Sequence, residues 1–327
     1  MKIVESLKLR DERFFLKFNF NKMKKVILFL FIIALFSIGC ASTNEGGEVV
    51  DTPTSGEINI DVDETLQPIA DAQVDVFQHQ YPNAKINIRY RSEAECVKEL
   101  YNDSCKLIFL GRQLTTEEMV AFKNRTFVPP QTKVATDAIA LIVDPKSKDT
   151  AFTYTQMLQI LRGQNTEYSL VFDNQNSGTV GYVLNLTGEK TFPKTAYAAK
   201  SNLEAVNYVA THEKVIGVIG WSWISDSDDP KTKEYLSKIR LLSLAPKDGK
   251  AGEFYKPYQL NLSQGKYPLS REVYIVQRER RNGLSAGFNA FVGSEIGQTI
   301  ILKAGLLPAT QQERWIEMKN KPVGKVN

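Results

Sequence analysis

The chain has 327 residues, enough for two domains or one large α/β unit, and its 43% hydrophobic and 24% charged content excludes global disorder. Twenty Gly and 13 Pro exclude collagen-like and low-complexity classes, while two His and three Cys exclude a multinuclear metal site or a cysteine-rich scaffold. The net charge of +4 resides in the first 39 residues, where eight Lys/Arg accompany three acids; the remainder stands at −1 and offers no basic surface to nucleic acid.

Val26 to Gly39 (VILFLFIIALFSIG) is a run of fourteen uncharged residues preceded by Lys24-Lys25. A spanning helix needs about 20 such residues, so the run reads as the apolar region of a secretory signal. Its position makes Met23 the expected start of translation, with residues 1–22 an over-extended frame. Ser37-Ile38-Gly39-Cys40 resembles a lipobox with Ser at the usual Leu position. Residues 1–40 are therefore expected to be a signal peptide that leaves a lipidated Cys40, and residues 41–55 a polar, flexible tether. Cys96 and Cys105 then remain, either as a disulfide permitted by an exported context or as two free, half-buried thiols.

Ile58 to Val62 alternates as a strand. Pro68 opens a helix with Ile69, Ala72, Val76 and Phe77 on one face, stopped by Tyr81-Pro82. Ile86, Ile88 and Tyr90 form a second strand, Ser92-Glu93-Ala94-Glu95 a capping box, and Lys106 to Leu110 a third strand. Thr115-Thr116-Glu117-Glu118 starts another helix, and Ala138 to Val143 (AIALIV) is a strand buried on both faces. Helices over Thr155–Arg162, from Gly178, and over Asn202–Thr211 alternate with strands Ser169–Phe172 and Val215–Ile219. Leu236–Ala245 and Val273–Val276 read as strands, and Ser285–Phe291 and Ile296–Ala304 as terminal helices. Alternating strands and helices imply a mostly parallel α/β sheet in two lobes, the chain crossing between them more than once.

No nucleophile elbow, H-E-x-x-H, phosphate-binding loop or dinucleotide fingerprint is present, and neither His79 nor His212 has a catalytic partner. What stands out is polar residues at strand-to-helix junctions: Thr65-Leu66, Ser92 and Ser177-Gly178-Thr179. Free N–H groups and the positive dipole end at such junctions bind oxyanions, and hydroxyls add donors. Each Ser or Thr is equally suited to a plain helix cap. Trp221 and Trp223 read as packing, with cleft lining as their other role; Arg278 to Arg281 (RERR) reads as a solvated loop or a contact for an acidic partner.

Six segments in order resemble the phosphate-binding proteins of bacterial phosphate ABC transporters, which have a type II periplasmic-binding-protein fold. They are Asp137–Pro145 (DAIALIVDP), Met157–Gly163 (MLQILRG), Ser177-Gly178-Thr179, Val215–Gly220 (VIGVIG), Tyr267–Arg271 (YPLSR) and Gly297–Pro308 (GQTIILKAGLLP). The resemblance covers roughly residues 56 to 310. It implies two interleaved α/β lobes with a ligand cleft at the hinge: 56–141 plus 269–318 as lobe 1, 142–268 as lobe 2, and 319–327 as a tail. It also implies inorganic phosphate gripped by Thr65, Leu66, Ser92, Arg112, Ser177, Gly178 and Thr179, with closure hinged near Ala138–Val143 and Tyr267–Val276.

Two positions depart from the family pattern. Asp173 stands where an Arg is usual, four residues before Ser177, and Gly111 replaces a polar residue before Arg112. One reading is an exchange in which Arg112 supplies the guanidinium and Asp173 accepts the phosphate proton, rejecting unprotonated sulfate. The other turns Asp173 to solvent, or tunes the pocket to a different ligand. The expected protein is a monomeric, lipid-anchored solute-binding protein of the bacterial envelope, periplasmic or extracytoplasmic, serving ABC permease subunits. It needs no cofactor or metal and is not an enzyme. The alternatives are a binder of another oxyanion or small solute, and a surface interaction or sensing lipoprotein that no longer binds phosphate.

Overall fold

The computed structural model describes residues 51–249, 252–278 and 281–310, all within one compact unit that begins at Val50. Met23, Cys40 and most of the expected tether lie outside the described residues. The strands are β1 (Gly56–Asp63), β2 (Ala84–Arg91), β3 (Leu107–Leu110), β4 (Gln131–Val143), β5 (Ala151–Phe152) and β6 (Ser169–Phe172). They continue as β7 (Ala196–Ala198), β8 (Val215–Gly220), β9 (Arg240–Leu241), β10 (Ser243–Leu244), β11 (Ser270–Gln277) and β12 (Leu307–Pro308).

The main sheet runs β2-β1-β3-β11-β4-β8-β6-β7, and its organiser is β4. The first part of this 13-residue strand pairs with β11 up to Ala138, and the second part pairs with β8 from Ile139 onward. One strand thus belongs to two half-sheets. The first half, β2-β1-β3, is parallel, as is the second, β7-β6-β8. Helices cover each half and enclose separate cores. One centres on Phe77, Phe109 and Phe288, the other on Ile142, Phe172 and Ile219.

The halves are therefore interleaved in sequence. The chain leaves the first along β4 and returns at Tyr267–Ser270, where Tyr267 is fully buried. Its hydroxyl donates to the Ile139 carbonyl at 2.8 Å, and Ile139 N–H donates to Leu269.

Local structure departs from the sequence expectation in four places. The buried stripe of helix Gln67–Gln80 is Ile69, Ala70, Gln73, Val74 and Phe77, whereas Ala72 and Val76 are half-buried. Gln73 takes a place in the stripe with its amide nitrogen donating to Gly297 O at 2.7 Å, which satisfies the donor half of a buried polar group. Leu236–Ala245 is not one strand: Pro230–Lys238 is helical, with Pro230 at its first position, and only β9 and β10 follow. Packed chain begins by Asp51, inside the segment expected to be tether. Asp51 is buried, accepts the Leu284 N–H at 2.6 Å and pairs with Arg281. Cys96 and Cys105 are fully buried free thiols in one small core, rather than half-buried.

Candidate functional site

The carboxyl ends of β1, β3, β6 and β8 meet the start of β11 at the point where β4 changes half-sheet. Open α/β sheets place their ligand sites at such ends. β1 delivers Asp63, a buried N-cap whose carboxylate accepts Thr65 N–H at 3.3 Å and the Thr65 hydroxyl at 2.6 Å. β3 delivers Gly111-Arg112. β6 delivers Asp173, followed by Ser177 as N-cap of helix Gly178–Thr187. β8 delivers the turn Trp221–Trp223, whose Ser222 hydroxyl donates to Thr65 O at 2.9 Å and fixes the Thr65 turn from the other half. Trp221 packs edge-on against Tyr258 and donates to Gly305 O, so its role is packing.

Arg271 lies at the centre and is 4% exposed. It stands opposite Asp137 in the β11–β4 register, and its Nε and Nη2 both donate to Asp137 Oδ2, at 3.0 and 2.8 Å. Nη2 also donates to the Thr65 hydroxyl at 2.9 Å, which completes a chain from Arg271 through Thr65 to Asp63. Burial works against the guanidinium charge, yet Asp137 and Asp63 outweigh it and hold its pKa above the ordinary value.

Four acids surround this cation. Burial raises the carboxyl pKa of Asp137, with Arg271 pulling back. Burial also raises Asp63 and Glu93, and each of that pair has the other as neighbour. Both carboxylates press against Gly178: Glu93 Oε1 stands 3.0 Å from the place of a Cβ there, and Asp63 Oδ2 would collide with one. The like charge of Asp63 adds to the upward push on Glu93. Asp173 is 1% exposed, and burial pushes its pKa up to about 6, against the Ser177 hydroxyl that donates to it at 2.6 Å. Thr179 donates more weakly, at 3.4 Å. The solvent-facing alternative for Asp173 is thereby excluded.

The structure brings Thr65, Asp173, Ser177, Gly178 and Thr179 together, along with the Leu66 backbone; the Leu66 side chain belongs to the core. Ser92 is engaged in its own helix cap, and Arg112 lines the adjacent cavity with its donors already taken by carboxylates. The Ser92 hydroxyl bonds Glu95 in a complete capping box on the exposed side. Arg112 donates from Nε to Glu93 at 2.9 Å and from its two terminal nitrogens to Glu118 at 2.8 and 3.0 Å, so two carboxylates occupy its fork. Substituting Ser92 by Ala should therefore cost about 1 kcal/mol as a lost cap and leave ligand affinity unchanged. Urea denaturation and calorimetric titration of one preparation test this; a tenfold affinity loss would place Ser92 in the site instead.

Sequence reasoning missed Asp63, Glu93, Asp137 and Arg271. Asp137 and Arg271 lie inside two of the segments that carry the resemblance, and their pairing emerges only from strand register. A cavity of about 300 Å³ opens beside this cluster, lined by Glu93, Gly111, Arg112, Gly178, Tyr182 and Asn185 among others. No group of His, Cys, Asp and Glu among the described residues could hold a metal ion. His79 and His212 are exposed, away from the site.

Two half-sheets joined by a shared strand, with polar strand ends converging at the junction, define the type II periplasmic-binding-protein fold. The family model for the PBP superfamily domain matches residues 48–295, and the chain belongs to that superfamily. Among curated relatives, the phosphate-binding protein PstS of Borreliella burgdorferi is 23% identical, the match covering 87% of this chain and 99% of the relative. PstS of Bacillus subtilis is 21% identical over 89% and 96%. A phosphate ABC transporter substrate-binding protein from Clostridium perfringens, solved with bound phosphate, superposes with a TM-score of 0.64 at 20% identity, covering 78% of this chain and all of that one. An ABC-type phosphate transport receptor from Vibrio cholerae gives 0.60, also at 20% identity, over 77% of this chain and all of that one.

Proposed function

We propose that the chain is an extracytoplasmic solute-binding protein that closes on inorganic phosphate and delivers it to the permease subunits of an ABC transporter. The observation that carries this is the convergence of strand ends from both half-sheets: the Thr65 turn and Gly111 meet one buried guanidinium, and the Ser177-Gly178-Thr179 helix start meets Asp63, Glu93 and Asp173 beside it. The phosphate-binding names of its relatives support the same ligand. Closure draws the halves together about β4 and the Tyr267–Ser270 return, the boundaries falling near 141 and 268. No bond is made or broken, so the protein works without cofactor or metal. Cys40 carries the lipid that holds a monomer at the bacterial envelope; no described helix is long and apolar enough to cross a membrane.

The acids set which form of the anion enters. Above about pH 6 Asp173 is a carboxylate and accepts the proton of a phosphate hydroxyl; sulfate, lacking one, meets it with a bare oxygen. The raised carboxyls lose their protons as pH rises, so bound anion and carboxylates repel more at high pH. Three such carboxyls, Asp63, Glu93 and Asp137, outnumber the one acceptor gained at Asp173, so phosphate binding is proton-linked and affinity should be lower at pH 7.5 than at pH 5.5. A second reading follows from the same four carboxyls and the 300 Å³ cavity: a small solute rich in hydrogen-bond donors would satisfy them directly. Calorimetric titration of the mature protein at both pH values with phosphate, arsenate and sulfate tests the proposal. Phosphate binding that weakens with pH, with sulfate rejected, is the expected result; heat from none of the three anions would overturn it.

A further inference from the structure

We infer that Arg271 is the guanidinium that binds the anion, through a slot cleared by Gly111 and Gly220; this rests on the phosphate reading above. Three positions compete for the role. Position 173, where the resembling family carries Arg, is Asp here. Arg112 is filled by Glu93 and Glu118. Arg271 spends Nε and Nη2 on Asp137 and Thr65, while Nη1 is buried with no hydrogen-bond partner among the described residues.

A buried charged donor without an acceptor is costly, and natural structures retain one where a ligand completes it. The surroundings fit that use. A Cβ at Gly111 would stand 3.2 Å from Nη1 and 3.3 Å from Cδ of Arg271, and one at Gly220 would stand 3.3 Å from Nη2. These are tighter than ordinary contacts, so the guanidinium occupies its place because two strand ends lack side chains. The Gly111 departure is thereby explained: the polar side chain usual there is absent because the arginine passes through that space. Asp137 presets the plane of the fork by taking Nε and Nη2 on one oxygen, which leaves the Nη1 edge pre-oriented for an incoming oxygen.

The test is calorimetric titration with inorganic phosphate of the wild-type protein, Gly111→Ala and Arg271→Lys, with thermal melts on each. Gly111→Ala crowds Nη1 without removing charge and should weaken phosphate binding about tenfold or more. Arg271→Lys keeps the charge but loses the fork, and should weaken it further. In the wild type, the ¹⁵N guanidinium resonances of Arg271 should shift when phosphate is added. Wild-type binding with both variants unchanged, or with static Arg271 resonances, would refute the assignment and leave the phosphate reading standing. If Arg271→Lys unfolds, Gly111→Ala and the wild-type resonances decide alone. A wild type that binds neither phosphate nor arsenate would overturn both readings together.

Discussion

Replacing Asp137 by Ala should lower the unfolding free energy by about 3–5 kcal/mol at pH 7, the usual cost of breaking a buried ion pair from one side. Asp137 is fully buried and Arg271 nearly so, and one carboxylate oxygen accepts two of the guanidinium's N–H groups. Without it, a charge held between two cores loses the acceptor of two of its N–H groups, and Thr65 with the through-space charge of Asp63 makes good only part of that. Asp137→Asn should cost less, because one acceptor oxygen survives. Pairing Asp137→Ala with Arg271→Met should restore part of the loss, since the stranded charge is then gone. The measurement is urea denaturation with the m-value held constant. A loss under 1 kcal/mol for Asp137→Ala would mean that solvent reaches Arg271 and that the junction is looser than its burial indicates.

The elements that the sequence showed most clearly were those with a strong local signal. AIALIV at Ala138–Val143 lacks any polar residue, and its strand is indeed buried on both faces. The capping box at Ser92 and the helix start at Thr115 sit where their spacing placed them. The misread segments were those decided by distant partners. Gln73 joins the buried stripe of helix Gln67–Gln80 with its amide donating to a backbone carbonyl 224 residues away. Among site residues, a hydroxyl at a strand end was visible, but whether it faced the cleft was not. Ser92 and Ser177 are both N-caps, and only the chain packed around them separates an exposed cap from a buried one. The Arg271–Asp137 pair was hidden for a related reason. Its members are 134 residues apart and meet only because β11 and β4 are antiparallel neighbours in one register. Asp173 was flagged as a lost arginine, yet the cation that answers it comes from a strand whose sequence carries no binding signal of its own.

Glu93 gives the second large effect. Its carboxylate accepts the Gly111 N–H at 3.1 Å and Arg112 Nε at 2.9 Å, and it lies against the Gly178 helix start. The Gly111 N–H is a contact an oxyanion would seek, so Glu93 acts as a resident anion beside Arg271 that phosphate must displace or neutralise on entering from the adjacent cavity. One like charge at about 4 Å opposes a second by about 4 kcal/mol at an effective dielectric of 20, and relaxation reduces this. Glu93→Gln should accordingly tighten phosphate binding about 10- to 100-fold at pH 7.5, while Arg112 keeps its bonds to Glu118. The sign of the pH dependence follows from the raised carboxyl of Glu93. As pH falls the wild-type side chain takes up its proton and stops repelling the ligand, so the advantage of the variant should shrink toward pH 5. Titrations of both proteins across that range test this. Weaker binding by Glu93→Gln at every pH would show instead that Glu93 accepts the ligand's proton, which moves it from competitor to contact.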